Sequence, residues 1–261
     1  MNTKLGVFYN PFHVTEDFLL RERKRIEQME VDHIEILLDH YKLLNASNKE
    51  TLLLKSVVAN WENIIHAPFV NISIVHPNEK LRLASVAVYK SVIEVARVLD
   101  SKLVTFHGGS YPFYIDDMNV IEGAFNASMT ELVEAGIDNG ISISIENLPR
   151  MMKTRIGYPS IFNEVKRMVS SMPQIKFTLD IGHVVENKED ILDYVKEFGQ
   201  HISNVHIHDS DGKKSHLCIG KGNIDMGSVI KALNTLGVYL TLETVNDDDT
   251  YESFKIIKDM L

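Results

Sequence analysis

One event repeats along this chain: a short β-rich run ends in a histidine, aspartate or glutamate, and a helical pattern follows. The runs are Asn63–His66, Leu103–His107, Ile141–Glu146, Phe177–Asp180 with His183 just after, Val205–His206 and Tyr239–Glu243. Side chains able to bind a metal or move a proton therefore stand where strands stop. One such placement means little. Six in one chain point to a ring of strands that aims its ends at a common centre.

Eight strand-then-helix units can be counted. The strands are Lys4–Tyr9, Asp32–Leu38, Asn63–His66, Lys102–His107, Ile141–Glu146, Ile175–Asp180, Ile202–His208 and Val238–Glu243. Between and after them, helices are expected over Thr15–Met29, Asn48–Asn60, Asn78–Leu99, Asn119–Asp138, Ser160–Ser170, Glu189–Phe198, Asp225–Leu236 and Tyr251–Met260. The third carries Leu81, Ala84, Val88, Ser91, Val95 and Val98 at helical spacing, and Asn78 is its capping residue. Ile141–Glu146 alternates isoleucine with serine, the clearest period-two signal present.

Alternating strands and helices argue for parallel pairing with helices outside. An open doubly wound sheet is the rival, but no glycine-rich fingerprint follows the first strand, where Gly6 stands alone and Asn10-Pro11 takes the turn. The 261 residues match an eightfold barrel of about 250. No linker or composition shift divides them. The expectation is an α/β chain, a (β/α)8 TIM barrel in one domain over residues 1–261.

A formal charge of −9 signals no broad basic surface for nucleic acid. Cys218 is the single cysteine, so no internal disulfide forms, which suits a reducing cytoplasm. It is read as packing. The segment Met1–Tyr9 has no apolar leader core, and no stretch is long enough to span a bilayer.

In a βα barrel the strands' C-terminal ends open on one face, where active sites are built. Burying several carboxylates there is costly unless cations compensate them. A divalent metal does so, and Asp, Glu and His are usual ligands of zinc or manganese.

At these residues the chain resembles the xylose-isomerase-like barrel superfamily of sugar isomerases, sugar epimerases and endonuclease IV abasic-site nucleases. The resembling stretches are Ile65–Pro68, Thr105–Gly109, Ser144–Pro149, Thr178–His183, Val205–Asp209, His216–Ile224 and Leu240–Thr244, in family order. The resemblance implies that Glu146, Asp180, His206 and Glu243 form the metal centre shared by isomerases and epimerases. It implies that His66 and His107 match ligands of a second metal in nuclease-like members. His183 and His216 match ligands of a third. In single-metal epimerases the residue matching His183 contacts substrate. The nuclease pattern has an aspartate two residues before the histidine matching His216, whereas this chain has Lys214. A protonated lysine cannot ligate, so one or two metals are expected and a third is in doubt. Lys214 is then a positive group that partly replaces it, and Asp211 is the one other ligand candidate in that loop.

The mouth loops are locally basic. Arg150, Lys153 and Arg155 follow the fifth strand, and Lys213, Lys214 and Lys221 the seventh. Arg150, Arg155, Lys214 and Lys221 are candidate binders of an anionic substrate group such as a sugar phosphate. Gly220–Gly222 either presents amides to an anion or makes a tight turn. Phe12, Phe69, Tyr111, Phe113, Tyr114 and Tyr158 lie near the mouth.

The resemblance implies a metal-dependent sugar or sugar phosphate isomerase or epimerase. Its metal stabilises an enediolate, Glu146 and Glu243 exchange the proton, and His183 orients a hydroxyl. The alternative is an abasic-site DNA endonuclease, disfavoured by Lys214, by the acidic charge and by the loop Leu37–Leu44, which carries no arginine. DNA is a partner only under that alternative. A metal-enolate lyase or a sugar sensor without turnover also stays open, as does oligomeric state.

Overall fold

The computed structural model describes residues 3–261; Met1 and Asn2, part of the segment read above as lacking a leader, lie outside them. The first half of the chain runs β1 (Lys4–Tyr9), α1 (Glu16–Glu27), β2 (His33–Leu37), α2 (Lys49–Val58), β3 (Glu62–His66), α3 (Glu79–Val98), β4 (Leu103–His107), β5 (Ser110–Pro112) and α4 (Met118–Asn139). The second half runs β6 (Ser142–Glu146), β7 (Met151–Met152), β8 (Arg155–Gly157), α5 (Phe162–Ser171), β9 (Lys176–Asp180), α6 (Ile181–Glu186), α7 (Ile191–Phe198), β10 (Ile202–Ile207), α8 (Met226–Leu233), β11 (Tyr239–Leu242) and α9 (Asp247–Met260). Eight parallel strands close in the order β1-β2-β3-β4-β6-β9-β10-β11 and back to β1. This is the expected barrel. No helix of the described residues is long and apolar enough to cross a membrane.

The strand faces divide by chemistry. Ile34, Ile36, Ile65, Val104, Phe106, Ile143, Ile145, Phe177, Leu179, Val205, Ile207, Leu240 and Leu242 are buried in the apolar core. Each such side chain stabilises the fold by ~1.5–3 kcal/mol. The alternate residues meet across the barrel interior, and many are polar. Thr178 Oγ1 lies 3.1 Å from Thr105 Oγ1 and 2.6 Å from Ser144 Oγ. Below the mouth runs a longer chain of bonds. His33 Nε2 lies 3.0 Å from Thr241 Oγ1, Thr241 donates to Asn204 Oδ1 at 3.0 Å, and Asn204 Nδ2 donates to Glu35 at 2.7 Å. The Ile-Ser alternation of β6 is thus apolar toward the helices and polar toward the axis.

Two sequence expectations shift. The buried face of α3 is Arg82, Ser85, Val86, Tyr89, Val92, Ile93, Val95 and Ala96, while Leu81 of the anticipated stripe is 53% exposed. Arg82 and Ser85 turn inward because they are satisfied there: Arg82 donates to Ser128 Oγ at 2.9 Å, and Ser85 Oγ accepts from Ser73 N at 3.1 Å. Asn78 does cap the helix, accepting from Lys80 N. The second difference is a small antiparallel sheet, β5-β8-β7, outside the barrel at the mouth.

Candidate metal centre

Register brings the ligands together. His107 pairs with Glu146 and Asp180 with His206 as direct Cα partners, while Glu146 pairs with Thr178 and His206 with Thr241. Four ligand atoms then converge. From His206 Nδ1 the distances are 3.1 Å to Glu243 Oε2, 3.5 Å to Glu146 Oε2 and 4.0 Å to Asp180 Oδ2. Bonds of ~2.1 Å in a tetrahedral site put ligand atoms roughly 3.4 Å apart. His206 Nδ1 and Glu243 Oε2 are also buried without a hydrogen-bond partner among the described residues, although buried polar atoms normally have one. The donor set and its orphaned atoms fit a divalent cation held by Glu146, Asp180, His206 and Glu243.

A second group lies beside the first. His66 Nε2 is 3.2 Å and His107 Nε2 3.0 Å from the same Glu146 Oε2. Phe69 stacks on His107, with ring centroids 4.9 Å apart. His66, His107 and Glu146 could hold a second ion.

The hydrogen bonds assign the tautomers. His66 Nδ1 lies 2.8 Å from Ala67 O, His183 Nδ1 3.0 Å from Asn147 O and His216 Nδ1 3.1 Å from Glu243 O. A carbonyl only accepts, so each Nδ1 carries a proton, and each Nε2 offers a lone pair only when its ring is neutral. His206 is turned the other way: its Nε2 donates to both oxygens of Glu35 at 3.1 Å, leaving Nδ1 for the cluster. Outer partners of this kind orient metal-binding imidazoles.

Charge follows the same plan. Burial pushes Glu146 up, but the charges of His107 and His206 outweigh it and hold its carboxyl well below the usual range. Glu243 and Asp180 are likewise held low despite burial, by His206 and His216 in one case and His183 and His208 in the other. Burial pushes His206 down, yet Glu35, Glu146 and Glu243 raise it well above the ordinary value. Against the same opposing burial, Asp180 and Glu146 carry His183 up to about 9. Without a cation, protons on histidine balance the carboxylates. A metal would displace them.

Asp180 has two duties. Its Oδ1 caps α6 by accepting from His183 N at 2.7 Å, and its Oδ2 accepts from His208 Nε2 at 2.9 Å. His208 Nδ1 in turn accepts from His216 N at 2.9 Å, and the two rings lie 4.1 Å apart. A Cβ on Gly182 would stand 2.0 Å from His208 Cε1, so this ring packs only over glycine. Asp180, His208, His216 and Glu243 form a further group close enough to share an ion.

Sequence reasoning missed Glu35, His208 and Asn147. Strand alternation was the available signal: His208 stands two residues beyond His206, and Glu35 interrupts the isoleucines of β2. Asn147 exchanges two bonds with the Asp180 backbone, at 2.9 and 2.8 Å, and so ties β6 to β9.

The anticipated substrate cations are placed elsewhere. Arg150 bonds to Ser160 and to buried Glu164. Arg155 reaches Ser110 O at 2.9 Å and lines a separate cavity of 230 Å³ with His76. Lys221 pairs with Asp249 at 2.9 Å. Lys214 is exposed, and its backbone N–H is taken by Asp211 Oδ1 at 2.8 Å. None of the four lines the cavities that touch the ligand ring. Gly220 and Ile224 do present amides to an anion, but it is the chain's own Asp209, at 2.9 and 3.2 Å. Tyr111 and Tyr158 are core residues; Phe12, Phe113 and Tyr114 are exposed. Cys218 is buried beside Ser253, away from the ring.

Two cavities meet at the ring. An inner one of 190 Å³ is walled by His66, His107, Glu146, His183, Glu243 and Met152, among others. An outer one of 460 Å³ shares Glu243 and His216 with it.

Comparison with known proteins bears on the fold and the family. A D-tagatose 3-epimerase-like protein superposes with a TM-score of 0.83 at 26% identity, over 98% of this chain and 96% of its own. An uncharacterised protein of Methanocaldococcus jannaschii is 29% identical over 252 residues, 93% of this chain and 85% of its own length. A probable endonuclease 4 of Mycobacterium leprae is 25% identical over 70% of this chain and 73% of its own. The model of the xylose isomerase-like TIM barrel family matches residues 24–260, and the chain belongs to that family.

Proposed function

We propose that this protein is a divalent-metal-dependent sugar epimerase or isomerase. The observation that carries the reading is the pair Glu146 and Glu243, both ionised and both facing His206 Nδ1, at 3.5 and 3.1 Å, on the wall of the inner cavity. The likeness to the epimerase-like structure supports it. A bound cation would supply Lewis acidity at the substrate carbonyl.

The side chains supply the proton chemistry. Glu243 is 20% exposed and touches both cavities, so it is the more accessible base for a proton on the carbon beside the carbonyl. Glu146, 2% exposed, sits on the other side of His206 and would return a proton to the opposite face. His183, whose Nδ1 donates to Asn147 O, would bond a substrate hydroxyl through Nε2. Glu146→Gln and Glu243→Gln test this. Each should lower solvent-deuterium exchange at the substrate carbon by about 10²–10⁴. Full exchange in both variants would reject the assignment.

A second reading rests on the His66–His107–Glu146 group, a ligand set for another ion. Two ions can clamp a scissile phosphate, as an abasic-site nuclease requires. Cleavage of an abasic oligonucleotide at catalytic protein concentration would put this reading first.

A further inference from the structure

We infer that the substrate is a glycoside, a ketose bearing a second uncharged sugar unit, and that the second unit occupies the outer cavity. This rests on the epimerase reading and names its substrate class. The inner cavity, at 190 Å³, is below the roughly 300 Å³ at which small-molecule sites begin. The outer one, at 460 Å³, is within that range. They meet at Glu243 and His216, so a molecule whose reacting carbons lie at Glu243 has its far end in the outer lobe.

The chemistry of that lobe selects the ligand. Phe12 and Phe18 supply apolar ring faces, and Phe12 is 69% exposed. Planar polar groups stand among them: Asn10, and also Asn246 and the Arg25 guanidinium, which are already held by Asp249 and by Glu22 with Asp247. Aromatic faces with planar hydrogen-bonding groups suit a sugar ring, which is apolar on its faces and polar on its edge. Tyr9 adds a built feature. It is 2% exposed, lines the lobe, and its hydroxyl has no partner among the described residues. Burial, then the charge of Glu22, pushes that phenol up, so it stays a neutral donor. A buried donor left unmade is destabilising, and a ligand oxygen would satisfy it.

Charge argues against a phosphate in the same place. Among the described residues Arg25 is the one arginine or lysine lining the lobe, beside His216, and it is spent on Glu22 at 3.0 Å and Asp247 at 2.9 Å. Glu22, Asp247 and Glu243 line the lobe with it, so carboxylates outnumber the guanidinium and an anion is repelled.

The test uses the full chain loaded with Mn²⁺ and three probes: D-fructose, fructose 6-phosphate and lactulose, a galactosyl-fructose. Proton exchange at C3 is followed by NMR in D₂O. Saturation-transfer NMR on the same samples records which sugar protons touch protein. Lactulose should exceed both other probes in kcat/KM, and its galactosyl protons should receive saturation. Tyr9→Phe, and independently the surface change Phe12→Ala, should each lower the lactulose-to-fructose ratio by about fivefold or more, the loss of one hydrogen bond or ring contact. Equal ratios in both variants, no saturation of the galactosyl ring, or preference for the phosphate would overturn the inference. If no probe exchanges, the epimerase reading fails by itself. Saturation of the galactosyl ring, and its loss in Phe12→Ala, then still decides the outer lobe.

Discussion

Glu35→Gln removes one charge and almost no volume, so its effect isolates the hydrogen-bond chain beneath the metal site. Every bond in that chain points toward Glu35. Thr241 Oγ1 donates to Asn204, so it must accept from His33 Nε2; Asn204 Nδ2 and His206 Nε2 then both donate to the carboxylate. Burial pushes Glu35 up, but the charge and hydrogen bond of His206, with His66 and Asn204, hold it below the usual range. A glutamine amide accepts at one atom and donates at the other, so it meets either Asn204 or His206 donor to donor. The escape is to flip Asn204. Thr241 must then turn its proton to His33 Nε2, and the imidazole proton moves to Nδ1, a buried atom with no partner. Either way one buried donor is left unmade, at ~1–3 kcal/mol. His206 also loses the anion that orients it, a change of the kind that weakens metal binding by roughly 10–100-fold, or ~1.4–2.8 kcal/mol. Competition against a chromogenic chelator measures the affinity, and thermal melting of the stripped protein measures the hydrogen-bond cost. A dissociation constant within about twofold of the parent, with an unmoved melting temperature, would refute the whole chain of reasoning.

Gly182→Ala should cost ~1–3 kcal/mol by overpacking, because its Cβ would stand 2.0 Å from His208; an unchanged melting temperature and Zn²⁺ affinity would contradict the packing account. His33 is held down at about 4, by burial above all. Its folded pKa is depressed, so its contribution is complete above pH ~6.5 and is lost as pH falls toward 4, about 3 kcal/mol in total. Urea titrations at pH 7.5 and 4.5 should show a smaller acid loss in His33→Gln than in the parent, and equal losses would dismiss the role. His183 runs the opposite way. Its folded pKa is raised to about 9, so its contribution to the stripped protein is full below pH ~6.5 and is lost as pH climbs through 9. The melting-temperature gap between metal-loaded and stripped protein should therefore widen from pH 6.5 to 9.5, and a shrinking gap would show that protons and metal do not compete at this site.

The barrel was legible because its signal is local. A β-branched run, a turn and an amphipathic helix recur, and their ends differ from expectation by a residue or two at most strands. The candidate ring was legible for a related reason: register fixes which strand ends are neighbours, and several ends carry a chemically distinctive side chain. What was not legible depends on partners far away in sequence. Strands β5, β7 and β8 have two or three residues each, too few for periodicity, and exist only by pairing across the mouth. The short helix α6 begins where Asp180 turns its carboxylate onto the next amides, a residue that reads equally as a strand end. Arg150 looked available because it follows a strand; nothing near it in sequence announces Glu164, which is 2% exposed and claims it. The inward turn of Arg82 on α3 likewise requires Ser128, from the next helix.

The closure of the barrel explains where selectivity is built. The candidate ligands Glu146, Asp180, His206 and Glu243 stand at four adjacent strands, β6, β9, β10 and β11, and a shared register sets their spacing, so their placement tolerates little change. The outer lobe is different. It lies at the seam where β1 pairs with β11, between the loop and helix that follow the first strand and those that follow the last. Tyr9 and Arg25 come from one side of that seam, Asn246 and Asp247 from the other, and the Arg25–Asp247 ion pair at 2.9 Å crosses it. Both segments leave the barrel at its mouth, so changes in either alter the lobe without moving a ligand. A lobe assembled from the two ends of the chain is also the feature that reading along the sequence is least able to find. Its wall nearest the metal is Glu243. The group proposed to move the proton thereby stands where the two cavities meet, and it is the one that the proposed second sugar unit would touch.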